Sequence, residues 1–140
     1  MNEFRIIDAT DDDLDSLALM NKHLIEDSQH DNKMTVEQLK ERMRSFMRGT
    51  YKAYLLMDAE KIRGYALVDH STEPLYLKQF FIGRDSRQNG YGRRYFEELL
   101  QLLNTETLDL EVLYWNHDGY EFWKAMGFVE RSIYMRYANH

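Results

Sequence analysis

Cysteine is absent from this 140-residue chain, which excludes disulfides, thiolate metal ligands and a thiol nucleophile. Proline occurs once, as Pro74 in a turn, and no Pro/Gly/Ser-rich linker, internal repeat or low-complexity tract divides the sequence. No apolar run approaches the length that crosses a bilayer. The opening MNEFRIIDATDDD has no basic segment followed by an apolar one, so neither a secretory signal nor a membrane span is expected, and the cytoplasm is the default location. Positive charge is in deficit: 18 Lys and Arg stand against 24 Asp and Glu, a net charge of -6. That argues against nucleic acid as the main partner and permits a cationic small molecule. His30, His70 and His117 lack the spacing of a metal site, and no serine-based nucleophile has a supporting constellation.

What is present is enough for one ordinary domain over residues 1–140. The chain is 44% hydrophobic and 30% charged, a balance that buries a core. FRIID, residues 4–8, reads as a strand. Thr10 and Asp13 mark a helix start, followed by Leu14, Leu17, Ala18, Asn21, Leu24 and Ile25 at helical spacing. DSQHDNK breaks the pattern, and Thr35 with Gln38 forms a capping box before Leu39, Met43, Phe46 and Met47. YKAYLLMD and IRGYALVDH read as a hairpin turning at Ala59–Lys61, and LYLKQFFI, 75–82, as a strand buried on both faces. A helix carrying Phe96, Leu99, Leu100 and Leu103 follows. TLDLEVLYW reads as a further strand. Asp118 and Glu121 would cap a short helix that Gly127 ends, and FVERSIYMRY, 128–137, reads as a closing strand. The order is β-α-α-β-β-β-α-β-α-β, an α/β fold.

One stretch asks for an explanation. In RDSRQNGYGRRYFEELL, Arg84 to Leu100, two glycines stand where a helix should begin, among arginines. They could merely turn the chain. A G-x-G-x-x-G dinucleotide loop is a poor match, because Tyr95 occupies the third position, where close helix–strand packing wants a small residue. A G-x-x-x-x-G-K-[ST] loop does not occur. The third reading is Arg87-x-x-Gly90-x-Gly92 after a buried strand and opening a helix. Its backbone N–H groups would wrap a phosphate, with Arg87, Arg93 and Arg94 adding charge.

About two dozen residues further on comes NHDGYEFWKAMGF, with Asn116, the pair Phe122-Trp123, and Gly127-Phe128. Together with the glycine loop and the element order, this resembles the GNAT superfamily of acyl-CoA-dependent N-acyltransferases over nearly the whole chain. The resemblance implies a mixed central β-sheet flanked by helices and splayed between the fourth and fifth strands. It implies acetyl-CoA as acyl donor and a primary amine of a small molecule or peptide as acceptor. Phe80, Phe81 and Ile82 would offer backbone groups to the pantetheine arm. Gln88, Asn89, Gly90, Tyr91, Gly92 and Arg93 would face the pyrophosphate. Asn116 would contact the pantetheine region and Trp123 would lie along the cofactor near the thioester. Glu26, Asp27 and His30, in the segment between the first two helices, would favour a cationic acceptor. The family often dimerises, so a homodimer is allowed, though no self-associating surface is readable. A CoA-binding module without catalysis and an enzyme using another acyl-CoA are the rival readings.

The chemistry ranks the remaining candidates. A lysine-like amine has a pKa of about 10.4, so near neutral pH only about one in a thousand is uncharged, a cost of about 4 kcal/mol without a base. The leaving thiolate resembles a cysteine with a pKa of about 8.5 and needs little acid. Glu111 is the base candidate: Leu108, Leu110, Val112 and Tyr114 alternate onto one strand face, leaving Asp109 and Glu111 on the other, and some family members place a glutamate five residues before the Asn. Many members carry a proton-donating Tyr where Trp123 stands, and an indole N–H does not protonate a thiolate. Tyr120, one turn earlier, is the substitute candidate.

Overall fold

The computed structural model describes residues 3–87 and 89–139. The strands are β1 (Phe4–Asp8), β2 (Tyr51–Asp58), β3 (Lys61–Asp69), β4 (Leu75–Ile82) and β5 (Leu108–Asp109), and the helices are α1 (Leu14–Asp27), α2 (Val36–Arg48), α3 (Tyr91–Leu103) and α4 (His117–Ala125). They form one mixed sheet in the order β1-β2-β3-β4-β5, antiparallel except between β4 and β5, which are parallel. The helix starts read from the sequence are built by local chemistry. Thr10 and Asp13 close a capping box on a 3-10 turn that runs into α1, and Thr35 and Gln38 close one on α2.

The sheet separates two cores. Toward α1 and α2 lie Leu14, Leu17, Met43, Leu55, Met57, Tyr65, Leu67 and Phe81; toward α3 and α4 lie Tyr54, Val68, Leu77, Phe96 and Leu99, with Phe80, Trp123 and Phe128 packed against them. Leu77 and Phe81 are four residues apart yet enter opposite cores. The reason is a bulge: Leu77 pairs Val68 and Gln79 pairs Leu67, so Lys78 has no partner opposite it on β3. One unpaired residue reverses the pleat and bends the strand.

β5 touches β4 only through Leu75 with Leu108 and Tyr76 with Asp109. Beyond that the two diverge, which is the expected splay. Two expectations change as a result. The fifth strand, read as 107–115, keeps a ladder over two residues only, because its neighbour bends away. Tyr114, read as sharing one strand face with Leu108, Leu110 and Val112, is 92% exposed. The closing strand, read as 128–137, makes no ladder among the described residues. Its alternating pattern marks a segment that fits a sheet, but an edge with which to pair is a property of the assembled fold.

α4 begins earlier than Asp118 suggests: Asn116 is the N-cap, accepting from the Gly119 N–H at 3.0 Å. Tyr95, too large for the dinucleotide pattern, is fully buried against β1 and β2, stacking edge-on with Phe4 and donating to the Met57 carbonyl at 2.6 Å.

Candidate active site at the splay

Past Tyr76, the side of β4 that faces away from β3 has no strand partner among the described residues. A loop and a short 3-10 turn (Arg84–Ser86) carry the chain from its end to the start of α3. Gly90 is the N-cap of α3, in the left-handed region (φ 76), with no side chain capping the helix. That conformation is strained for any residue with a Cβ. A Cβ built on Gly90 would have nothing within 4 Å, so the space outside it is open. The first bond of the helix runs from the Arg94 N–H to the Gly90 carbonyl at 3.2 Å. The amides of Tyr91, Gly92 and Arg93 therefore find no acceptor among the described residues, and with the helix dipole behind them they form an anion-binding terminus. Asn89 lies exposed beside them; Gln88 lies outside the described residues.

Gly92 does a different job from Gly90. A Cβ there would come within 3.1 and 3.3 Å of the Phe122 ring and within 3.9 Å of Ile82. Its smallness brings α4 against α3 and the end of β4. Phe122, which the sequence reading used only as part of an aromatic pair, is thus the ring at the helix start. Trp123 is instead enclosed by rings, with centroids 5.4 Å from Phe80, 5.1 Å from Phe96, 4.7 Å from Phe122 and 5.3 Å from Phe128. It is a packing residue of the α3–α4 core.

The arginines are less free than their sequence positions suggest. Arg87 donates to the Ile82 carbonyl at 2.8 Å and to Asp27 at 2.5 Å, and lies over the Phe81 ring. It therefore occupies one of the β4 backbone groups assigned to pantetheine. Arg84 also bonds Asp27 and reaches Glu26 at 3.4 Å. Burial pushes the Asp27 carboxyl up, but the hydrogen bonds and charges of Arg84 and Arg87 outweigh it and hold the group below its usual range. Glu26 and Asp27 thus neutralise the loop arginines rather than stand open to a cationic acceptor. His30 accepts from the Asn32 N–H through Nδ1 at 3.0 Å and shapes its own loop. Arg93 pairs with Glu97, and Arg94 stacks 3.9 Å over the Phe4 ring.

Glu111 is exposed just past the last β4–β5 pair and accepts from the Tyr76 hydroxyl at 2.9 Å. Tyr76 is half-buried, and burial first, then this bond, push its phenol well above the usual range. It therefore stays protonated and orients the carboxylate. Nothing in the sequence paired these two residues; the strand alignment across the splay does. Tyr120 faces elsewhere. Its hydroxyl donates to Glu130 at 2.7 Å, and that bond raises its pKa, so it is held as a donor to a carboxylate rather than aimed at the splay. Asn116 spends its side-chain oxygen on capping α4.

Sequence reasoning missed the cations on the α1–α2 side of the sheet. Arg42 and Lys78 lie 5.5 and 5.6 Å from the centroid of Phe46, which packs on Tyr51. Neither has a carboxylate partner among the described residues. Arg42 donates to Asn21 Oδ1 at 3.2 Å, its Nε is buried without a partner among the described residues, and desolvation lowers its pKa. Among the described residues no group of three metal-ligating side chains converges, and no helix is long and apolar enough to cross a membrane.

A parallel pair that splays above a glycine-capped helix start defines the class of protein, a GNAT-like acyltransferase fold. The acetyltransferase (GNAT) domain family model matches residues 15–135, and the chain belongs to this family. Among solved structures it is similar to a possible acetyltransferase from Clostridium difficile 630 (TM-score 0.80, 14% identity, covering 98% of this chain and 97% of that one). It is also similar to a predicted acetyltransferase with acetyl-CoA from Clostridium acetobutylicum (TM-score 0.70, 14% identity, 96% of each chain). A third is the aminoglycoside N-acetyltransferase AAC(6')-Iy in complex with CoA (TM-score 0.77, 12% identity, 99% of this chain and 96% of that one). At these identities the likeness is one of fold. No curated protein sequence matches the chain.

Proposed function

We propose that this protein is an acetyl-CoA-dependent N-acetyltransferase that moves the acetyl group to a primary amine of a small molecule or peptide by direct attack. The observation that carries the reading is the direct succession, along the chain, of a β4 end without a strand partner among the described residues, the open, left-handed Gly90 and the free amides of α3. Phe80 and Phe81 would hold the pantetheine arm through their backbone. Asn89, Gly90 and the amides of Tyr91, Gly92 and Arg93 would hold the pyrophosphate, with Arg87 turning toward it from Asp27. Bound acetyl-CoA supplies an activated acyl thioester. The amine forms the new C–N bond, the C–S bond breaks, and CoA leaves as the thiolate. Glu111 would take the amine proton, with Tyr76 holding its carboxylate in place. With Trp123 packed among rings and Tyr120 on Glu130, neither of these two side chains would donate to the thiolate, which its low pKa makes tolerable.

That missing donor also supports one rival, a CoA-binding module without catalysis. The test has two arms. Acetyl-CoA should raise the melting temperature far more than NADH or ATP, since a native-state ligand stabilises by mass action. CoA release should then be followed across a panel of amines, each paired with a carboxylate-bearing counterpart, because Arg42 and Lys78, beside Phe46, have no carboxylate partner among the described residues. Glu111→Gln should keep CoA affinity and lower turnover at neutral pH by about a hundredfold, with the defect shrinking as pH rises. Equal shifts with all three nucleotides would reject the assignment. Firm CoA binding without release for any amine would select the binding module.

A further inference from the structure

The bulge in β4 delivers two consecutive residues to one face of the sheet. Lys78 reaches the Phe46 ring and Gln79 meets the Tyr65 hydroxyl, and both rings lie in or against the core beneath α1 and α2. Tyr76 shares that face. It pairs Asp69, which in turn pairs Tyr51, and residues directly opposite in a ladder point the same way. Across the parallel contact Tyr76 pairs Asp109, so Glu111, two residues on, falls on this face as well, as its bond to the Tyr76 hydroxyl requires. One surface beside the splay thus runs from Glu111 and Tyr76 past Tyr51 and Phe46 to Lys78, with Arg42 of α2 over the same Phe46 ring.

The polar groups at the cationic end are unspent. Lys78 is exposed and makes no hydrogen bond or ion pair among the described residues. Gln79 accepts from Tyr65 at 2.7 Å through its carbonyl, which leaves its amide N–H groups without a partner among the described residues. Arg42 is partly buried, donates to Asn21 at 3.2 Å and keeps a buried Nε with no partner among the described residues. Arg42 also lines a groove with Glu37 and Glu41, but Glu41 is held by Arg44 and neither carboxylate bears on the Arg42 pKa. Asp69 is held by Thr50 and Ser71. A desolvated guanidinium with an orphaned N–H is costly until an anion completes it.

We propose that this end of the surface binds a carboxylate of the acceptor, so that the acceptor is an amine that also carries a carboxylate, an amino acid or short peptide. That the molecule is the acceptor rests on the acetyl-transfer reading; that the site takes a carboxylate does not. Lys78 stands two positions from Tyr76, roughly 7 Å along the strand, so one extended small molecule spans from the cations to Glu111. Its carboxylate takes the Arg42 guanidinium, the Lys78 ammonium and the Gln79 amide and stays unchanged. Its amine nitrogen attacks the thioester and passes its proton to Glu111, and CoA leaves as the thiolate. The test uses straight-chain amino acids and dipeptides of increasing length, each against its carboxamide. Calorimetric titration into the CoA-loaded protein reads the site without turnover, and CoA release from acetyl-CoA reads the reaction. The acids should bind and react about tenfold better than their amides, or more. Lys78→Gln should erase that preference through KM rather than kcat, and Lys78→Arg should retain it. Arg42→Lys, which keeps the charge and loses the planar fork, should also weaken the acids. Circular dichroism checks that each variant folds. No binding of any acid, equal binding of acids and amides, or a preference that survives Lys78→Gln combined with Arg42→Lys would overturn the proposal. Acid-selective binding with no CoA release from any amine would keep the carboxylate site and reject the transfer reading.

Discussion

Replacing Gly92 by valine tests which neighbour that glycine serves. A Cβ at this position would lie 3.1 Å from Phe122 Cε1 and 3.3 Å from Cζ, inside the 3.5–4.0 Å optimum for carbon pairs. The Phe122 ring cannot simply retreat, since it stacks on Phe80 at 6.4 Å and meets Trp123 edge-on at 4.7 Å. Alanine should be close to neutral: its better helix propensity gains about 0.5–1 kcal/mol, which offsets the crowding. Valine adds two further methyl groups against the same ring, and overpacking of this kind costs about 1–3 kcal/mol. With a midpoint near 2 kcal/mol, the melting temperature should fall by about 4–8 °C for a chain of this size. Phe122→Leu should restore much of that loss, giving a coupling energy of about 1 kcal/mol in a double-mutant cycle. Urea denaturation of the four proteins reads the energies, and calorimetric titration with CoA reads the site. A Gly92→Val protein with wild-type stability and a selective loss of CoA affinity would refute the packing argument and return Gly92 to the phosphate.

Trp123→Ala should lower stability by about 2–3 kcal/mol, less than the usual cost of about 3–5 kcal/mol for emptying a fully buried aromatic site because the indole is only partly buried, and a variant that changes only the KM for acetyl-CoA would place the indole on the cofactor instead. Asn116→Ala removes the α4 cap and should cost about 1 kcal/mol, or about 2–4 °C in melting temperature. The Lys124 and Tyr120 contacts hold the Glu130 carboxyl at about 2, below its ordinary 4.5. A depressed carboxylate stabilises the fold above its unfolded pKa, and this contribution is lost as pH falls from about 4.5 toward about 2. Glu130→Gln should therefore flatten the acid limb of a plot of melting temperature against pH while leaving the profile near neutrality parallel.

Much of this protein is written in local pattern. The capping boxes at Thr10–Asp13 and Thr35–Gln38, the hairpin at Ala59–Glu60, the strand β4 and the glycine-opened α3 all depend on residues within a few positions of one another, so periodicity and turn chemistry reveal them. The left-handed demand at Gly90 is local in the same sense. The partners of charges and edges are not. Arg87 and Asp27 are sixty positions apart, and only the fold decides that they neutralise each other instead of serving phosphate and amine. Glu111 meets Tyr76 because a bulge at Lys78 and a two-residue β4–β5 contact set the splay. Trp123 and Phe122 are neighbours in sequence, yet the helix turns one into the core and the other onto Gly92. The sequence determined which segments bend, coil or extend, since backbone preference acts over a few residues. The tertiary structure decided which polar group faces which and which strand finds an edge, since those energies exist only between segments brought together.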